Sequence, residues 1–234
     1  MELAVLKQRS SEKEILDLGP DHYTPAEFKH CQKMLFRVNQ LLGCFNGTVK
    51  QLKNLPVTSN IMDIGCGAGL FILHLSRRFP NMTFHGVDIS EEAIAMANNE
   101  KSKFASATHN VTFEHLAEPA LKYEENSVDV ILATMVCHHM SDQDLIQFFR
   151  QAERTAKNKV IINDLHRQSI AYWFYYIFSP ILFNDRLITH DGLISIRRGF
   201  IRKELKSLLE QANIRHYHIK WCFPFRWRVI IWKK

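Results

Sequence analysis

No pair of cysteines in the 234-residue chain stands in CxxC spacing. The five present, Cys31, Cys44, Cys66, Cys137 and Cys222, are scattered and odd in number. That excludes a disulfide scaffold as the simplest account and favours free thiols in a reducing cytoplasm. The longest apolar run, residues 170–183, covers 14 positions and contains Pro180. It falls short of the roughly 20 residues a membrane-crossing helix requires. Residues 1–7 are too few, and the chain after them too polar, for a signal peptide. A Gly/Ser- or Pro-rich linker, an internal repeat and a low-complexity tract are all missing, so one α/β domain is expected. His216 and His218 alternate along one strand without a third ligand, and no metal is expected there.

What is present is apolar enough, at 46%, to bury a sizeable core. Charge is unevenly placed. Residues 195–234 carry 11 Lys/Arg against two Asp/Glu, whereas the remainder has a small acidic excess. A basic end of that kind suits an anionic substrate, a membrane surface or nucleic acid, as well as a plain solvated face.

Glycine is scarce, yet three of the nine stand at alternate positions in the run Asn60-Ile61-Met62-Asp63-Ile64-Gly65-Cys66-Gly67-Ala68-Gly69. A short apolar strand leads into them and a helical pattern follows. Glycines there allow a sharp turn and let a ligand approach the main chain. Asp88 ends the next apolar strand, 19 positions beyond Gly69. This is the arrangement that holds a nucleoside cofactor at the carboxyl edge of a parallel sheet. The spacing is not the GxGxxG of pyrophosphate binders, and Asp63 ahead of the loop suits an ammonium group better than a pyrophosphate.

Capping patterns at Ser11-x-x-Glu14 and Thr24-Pro25-Ala26-Glu27 predict a short helix over 12–16 and a longer one over 25–42. No strand is expected before residue 55, which makes residues 1–55 an N-terminal helical extension. Strands are then expected over 61–63, 83–88, 111–114, 128–133 and 159–163, with helices between them. Two closely spaced strands, 214–221 and 225–232, must pair antiparallel. The expected fold is α/β: a doubly wound, mostly parallel seven-stranded sheet closing in an antiparallel hairpin.

The run from Asp63 to Gly69, Asp88, the five-strand alternation and the hairpin together resemble class I S-adenosylmethionine-dependent methyltransferases over residues 55–234. The resemblance implies S-adenosylmethionine as cofactor and S-adenosylhomocysteine as product. It implies that Asp63, Gly65, Cys66, Gly67 and Gly69 follow the methionine part, that Asp88 takes the ribose hydroxyls, and that Ile89 covers the adenine. Ala117-Glu118 stand where the family often has an Asp-Ala pair, so adenine recognition falls to backbone or Glu118. Met135 opens the segment that faces the transferred methyl group.

After the fourth strand, His139 best matches a histidine frequent in the family and is a candidate base, although a structural histidine fits the same position. His166 and Arg167, just past strand five, are candidates for proton transfer and for holding an acidic group. Cys137 lacks the preceding proline of cytosine methyltransferases. The aromatic segment, with Tyr172 and Tyr176, together with His190 and Arg197, is expected to form a lid over the acceptor across about 169–200. That lid belongs to a methyltransferase domain of residues 56–234. Residues 14–17, 36–43, 164–167 and 223–226 are similar to bacterial methyltransferases encoded with natural-product pathways, and quinone-pathway enzymes share the core. The expected acceptor is a small aromatic or lipophilic hydroxyl compound, with peripheral membrane contact also in view. RNA methylation and a non-catalytic cofactor-binding protein are the alternatives, and the oligomeric state is open.

Overall fold

The computed structural model describes residues 6–104, 108–118 and 120–233. Seven strands form one sheet in the order β3-β2-β1-β4-β5-β7-β6. These are β1 (Asn60–Ile64), β2 (Thr83–Asp88), β3 (Val111–His115), β4 (Val128–Thr134), β5 (Ala156–Leu165), β6 (Tyr217–Cys222) and β7 (Arg226–Trp232). β1 to β5 run parallel, and β7 pairs antiparallel with both β5 and β6. The mostly parallel sheet with its closing hairpin is thus the architecture expected from the alternation of patterns.

The central strands are buried on both faces because helices cover both. Val130, Ile131, Leu132 and Ala133 are wholly inaccessible to solvent. On one face the core is closed by α5 (Asp142–Thr155) and α8 (Arg202–Gln211), through residues such as Phe149 and Leu209. On the other it is closed by α2 (Asn46–Leu52) and α3 (Leu70–Arg78), through Leu52, Ile72 and Leu75. Continuous apolar strands are what a sheet sandwiched in this way demands.

Helix starts follow their caps. Thr24 and Glu27 form the predicted capping box of α1 (Pro25–Leu41), with Pro25 in the first turn. Ser90 accepts from the Ala93 amide at the start of α4 (Glu91–Ser102), and Ser141 forms a box with Asp144 on α5. The helix expected over 12–16 does not form. Residues 11–14 form no regular element, and a single 3₁₀ turn follows at Leu16–Leu18. The competing partner is distant in sequence: the Asp191 carboxylate takes the amides of Ile15 and Leu16 at 2.8 and 3.1 Å.

The aromatic segment does form a helix, α6 (Ser169–Leu182), packed against α7 (Arg186–Arg198). Only Ala171 and Ser179 are buried on it, whereas Ile170, Phe174, Tyr176, Ile177, Ile181 and Leu182 are exposed. Among the described residues, no helix is long and apolar enough to cross a membrane.

Candidate functional site

In the strand order above, the direction of chain progression reverses between β1 and β4. Such a switch point opens a crevice in doubly wound sheets. Here it is a cleft of about 1260 Å³, floored by Asp63, the 65–68 turn, Asp88, Thr134 and Met135. The volume exceeds the 300–1,000 Å³ typical of a pocket for one small ligand, and leaves room for two.

The glycine turn is built by left-handed backbone at Gly65, Gly67 and Gly69, with φ of +67, +54 and +69°. A Cβ on Gly65 would run into Val136, and one on Gly67 would press the Gln32 side chain at 3.0 Å. The Gly67 amide donates to Asp88 Oδ2 at 2.8 Å, and the Ser90 amide donates to Oδ1 at 2.9 Å. Each Asp88 oxygen keeps further acceptor capacity toward the cleft. Asp63 is different. It is buried, and its Oδ1 lacks a hydrogen-bond partner. Burial and the nearby Asp88 charge push its carboxyl up to about 8. Thr134 Oγ1 is likewise buried and unpartnered beside the same space. Met135 takes φ +60°, a strained conformation for a side chain of its kind, fixed by its amide donating to the Asn163 carbonyl at 2.8 Å.

A second polar centre sits across the cleft, where the 3₁₀ turn Cys137–His139 follows β4. His138 Nδ1 lies 2.7 Å from Asp164 Oδ1, and its Nε2 lies 3.5 Å from Glu14 Oε1. His139 Nδ1 lies 2.7 Å from Asp17 Oδ1, with Nε2 4.0 Å from Glu14 Oε2. Asp164 also takes the Cys137 and His138 amides, which pins the turn. Arg198 contacts Asp17 and donates to the carbonyls of His138 and His139. Burial works against a charge on His138, but Asp164 and Glu14 outweigh it and raise its ring to about 9. Burial would raise Glu14 and Asp17, yet the neighbouring histidines, joined at Asp17 by Arg198, hold both below the usual carboxylate range.

Residues 61–159 match the family described as "Methyltransferase domain". Residues 61–159 carry a methyltransferase domain, and the fold around them is that of solved S-adenosylmethionine-dependent methyltransferases. A ribosomal RNA large subunit methyltransferase G of Shewanella halifaxensis is 29% identical over 184 residues, 69% of this chain and 41% of that protein. The 27-O-demethylrifamycin SV methyltransferase of Amycolatopsis mediterranei is 33% identical over 103 residues, 44% of this chain and 36% of that one. The chain thus spans between about a third and two fifths of these relatives' lengths. An S-adenosylmethionine-dependent methyltransferase from Aquifex aeolicus superposes with a TM-score of 0.66 at 18% identity, covering 91% of this chain and all of the other. Human N-acetylserotonin methyltransferase, solved with S-adenosylmethionine, gives 0.60 at 14% identity, over 90% of this chain and 56% of the other.

The methyltransferase domain suits its family's cofactor on physical grounds. S-adenosylmethionine carries an ammonium and a sulfonium, and Asp63 is a buried carboxyl with an unpartnered oxygen. Its ribose diol needs charged acceptors, and Asp88 stands at the opposite end of the same turn. The turn itself has no room for a side chain at Gly65, and its left-handed backbone disfavours one at Gly67.

The structure brings Asp63, Gly65, Cys66, Gly67, Asp88, Ile89, Glu118, Met135 and His139 onto the cleft wall. Gly69 sits behind the turn, where an added Cβ would meet Phe113, and Ala117 is exposed beside the lining. The remaining sequence-predicted residues lie elsewhere. His166 accepts from Trp221 and packs on Trp227. Arg167 is buried in a two-pronged pair with Glu204 and also donates to the Gly199 carbonyl. Tyr172 and Tyr176 stack on each other along α6. His190 pairs with Asp191, and Arg197 with Glu12.

Residues unforeseen from the sequence take their place. Phe28, Cys31, Gln32 and Leu35 of α1 line the cleft, as do Glu14 from the N-terminal strap and Ile188 and Asp191 from α7. The Glu14–Ser195 hydrogen bond, at 2.7 Å, ties two of these walls together across 181 positions. Sequence spacing carries no signal for so distant a contact.

Proposed function

We propose that the protein transfers the methyl group of S-adenosylmethionine to a hydroxyl of a small aromatic or lipophilic acceptor of the phenol or quinol type. The observation that carries this reading is the apolar part of the cleft wall. Phe28, Leu35, Phe36, Phe45, Leu187 and Ile188 form an apolar enclosure, and the Glu14–His138–His139 cluster is its polar end. An apolar chamber with a few convergent polar groups suits a small organic ligand.

When bound, the cofactor supplies an electrophilic methyl carbon on sulfur. In this reading Asp63 faces the cofactor's ammonium and Asp88 its ribose hydroxyls. Glu118 and Ile89 border the adenine. Met135 and Val136 shape the passage between donor and acceptor spaces. Alignment of nucleophile and methyl carbon is the main task of such a site. The apolar wall holds the acceptor ring, and the polar end receives its hydroxyl.

The acceptor's source is consistent with the surface. Ile170, Phe174, Ile177, Ile181 and Leu182 form an exposed apolar face on α6, which supports peripheral contact with a lipid surface. All five cysteines are free, which supports a cytoplasmic setting. A second reading, RNA methylation, is favoured by the Shewanella relatives and by the basic end of the chain.

Incubation with radiolabelled S-adenosylmethionine and parallel pools of total RNA and lipid-soluble metabolites separates the two. Label in the metabolite pool is the expected result. Label in RNA, falling steeply with added salt, would replace this reading by the second.

A further inference from the structure

The sequence offers no metal site, because His216 and His218 lack a third ligand. The fold creates a different grouping. Glu14, His138 and His139 present one carboxylate and two imidazoles whose ligating atoms lie within 4.8 Å of one another. From the geometry we infer that this cluster is a binding site for a single divalent transition-metal ion of the zinc class, open toward the cleft.

Three observations carry the inference. The first is direction. Both rings turn Nε2 toward the same carboxylate, at 3.5 Å from one of its oxygens and 4.0 Å from the other. Ligands around a tetrahedral ion with bonds of about 2.1 Å stand roughly 3.4 Å apart, so modest closure suffices. Two histidines, a glutamate and an open fourth position make a donor set suited to zinc.

The second is the outer shell. Metal-bound histidines almost always hold their other ring nitrogen on a carboxylate or carbonyl, which fixes the tautomer and aims the lone pair. Here Asp164 holds His138 Nδ1 and Asp17 holds His139 Nδ1, both at 2.7 Å. Ser195 completes the set by donating to Glu14 at 2.7 Å. Each of the three ligands has its own orienting partner, and those partners come from three separate parts of the chain.

The third is charge. Ligation requires both imidazoles neutral, so an ion displaces the proton that His138 carries in the ion-free protein, and Glu14, Asp17 and Asp164 then face the contacting guanidinium of Arg198. Three carboxylates against one cation leave an excess that a divalent ion balances. Burial makes such an excess costly when unbalanced.

The inference concerns binding, and it stands or falls independently of the proposed acceptor. Its test is calorimetric titration of chelator-stripped protein with zinc, with cobalt(II) absorption as a probe of coordination. Wild-type protein should bind about one ion per chain, with the cobalt spectrum of a four- or five-coordinate N/O site. Glu14→Gln and His138→Asn should each abolish stoichiometric binding. Asp17→Asn should weaken it about 10- to 100-fold, as outer-shell changes do. A His216→Ala/His218→Ala double variant should bind as wild type does.

Circular dichroism checks the fold of each variant. Should the buried substitutions unfold, His139→Gln serves in their place, because its ring is the most exposed of the three. Overturning results are the absence of stoichiometric binding by the wild type, binding retained in Glu14→Gln or His139→Gln, or its loss in the hairpin double variant.

Discussion

The backbone amide of Gly67 donates to the Asp88 carboxylate at 2.8 Å, so the turn after β1 and the end of β2 are one hydrogen-bonded unit. A ligand gripping Asp88 therefore also reads the position of the glycine turn. Asp88→Ala removes the charged acceptor and the tether together. Affinity for S-adenosylhomocysteine, measured by calorimetry, should fall about 100-fold or more, from two charge-assisted hydrogen bonds at about 1.5–3 kcal/mol each. Asp88→Asn keeps the tether's acceptor and should lose less. Unchanged affinity in Asp88→Ala would move the ribose elsewhere.

Asp63 trades stability for ligand binding. Its folded-state carboxyl stands at about 8, against an ordinary value near 3.8, because of burial and Asp88. Between those limits the folded chain holds more protons than the unfolded one. The group therefore lowers stability progressively as pH rises from about 4 to 8. In ligand-free protein, Asp63→Asn should raise the melting temperature at pH 8 by several degrees. The same variant should bind the cationic donor more weakly. A lower melting temperature with unchanged binding would contradict both halves.

Gly65 tests the turn by steric argument. It has φ +67°, and an added methyl would strike the branched side chain of Val136. Gly65→Ala should cost about 1–3 kcal/mol, read by urea denaturation. Adding Val136→Ala removes the collision but not the backbone conformation, so recovery should be partial. Complete recovery would mean that the left-handed conformation costs nothing here.

His138 should titrate well above the ordinary imidazole range. Asp164 and Glu14 raise its folded-state value to about 9, above the ordinary 6.5. Its contribution to stability is fully present below pH 6.5 and is lost as pH rises through about 9. Asp164→Asn takes away the larger attraction. In chelator-treated protein, its ring resonances should then titrate at least one unit lower, followed by NMR. The variant should also lose stability chiefly below pH 8.

Much of the donor half was legible in the chain. Gly65, Gly67 and Gly69 can be recognised because left-handed backbone at close spacing has a short-range residue signature. Asp63 and Asp88 follow from their positions at the ends of apolar strands, and the hairpin from two strands too close to pair in parallel. His139 was placed on the cleft by the same logic, as the residue after a strand end. His166 and Arg167 satisfy that rule equally well, yet β7 and α8 engage them instead. A local rule carries no record of which distant element arrives at a strand end.

The acceptor half is where the sequence stopped. Tyr172 and Tyr176 have the composition of a lid, but the packing of α6 on α7 turns much of that face to solvent. Phe28 and Leu35 read as an ordinary amphipathic helix until α1 is seen against the glycine turn. Glu14 looked like part of a helix cap. Tertiary structure made it the carboxylate between two imidazoles more than 120 positions away. Sequence by itself determined the strands, the glycine turn and the kind of cofactor, because these depend on local backbone preferences and short-range periodicity. Only the tertiary structure decided the apolar cleft wall and the Glu14–His138–His139 cluster, because both are assembled from contacts across the whole chain, which no spacing records.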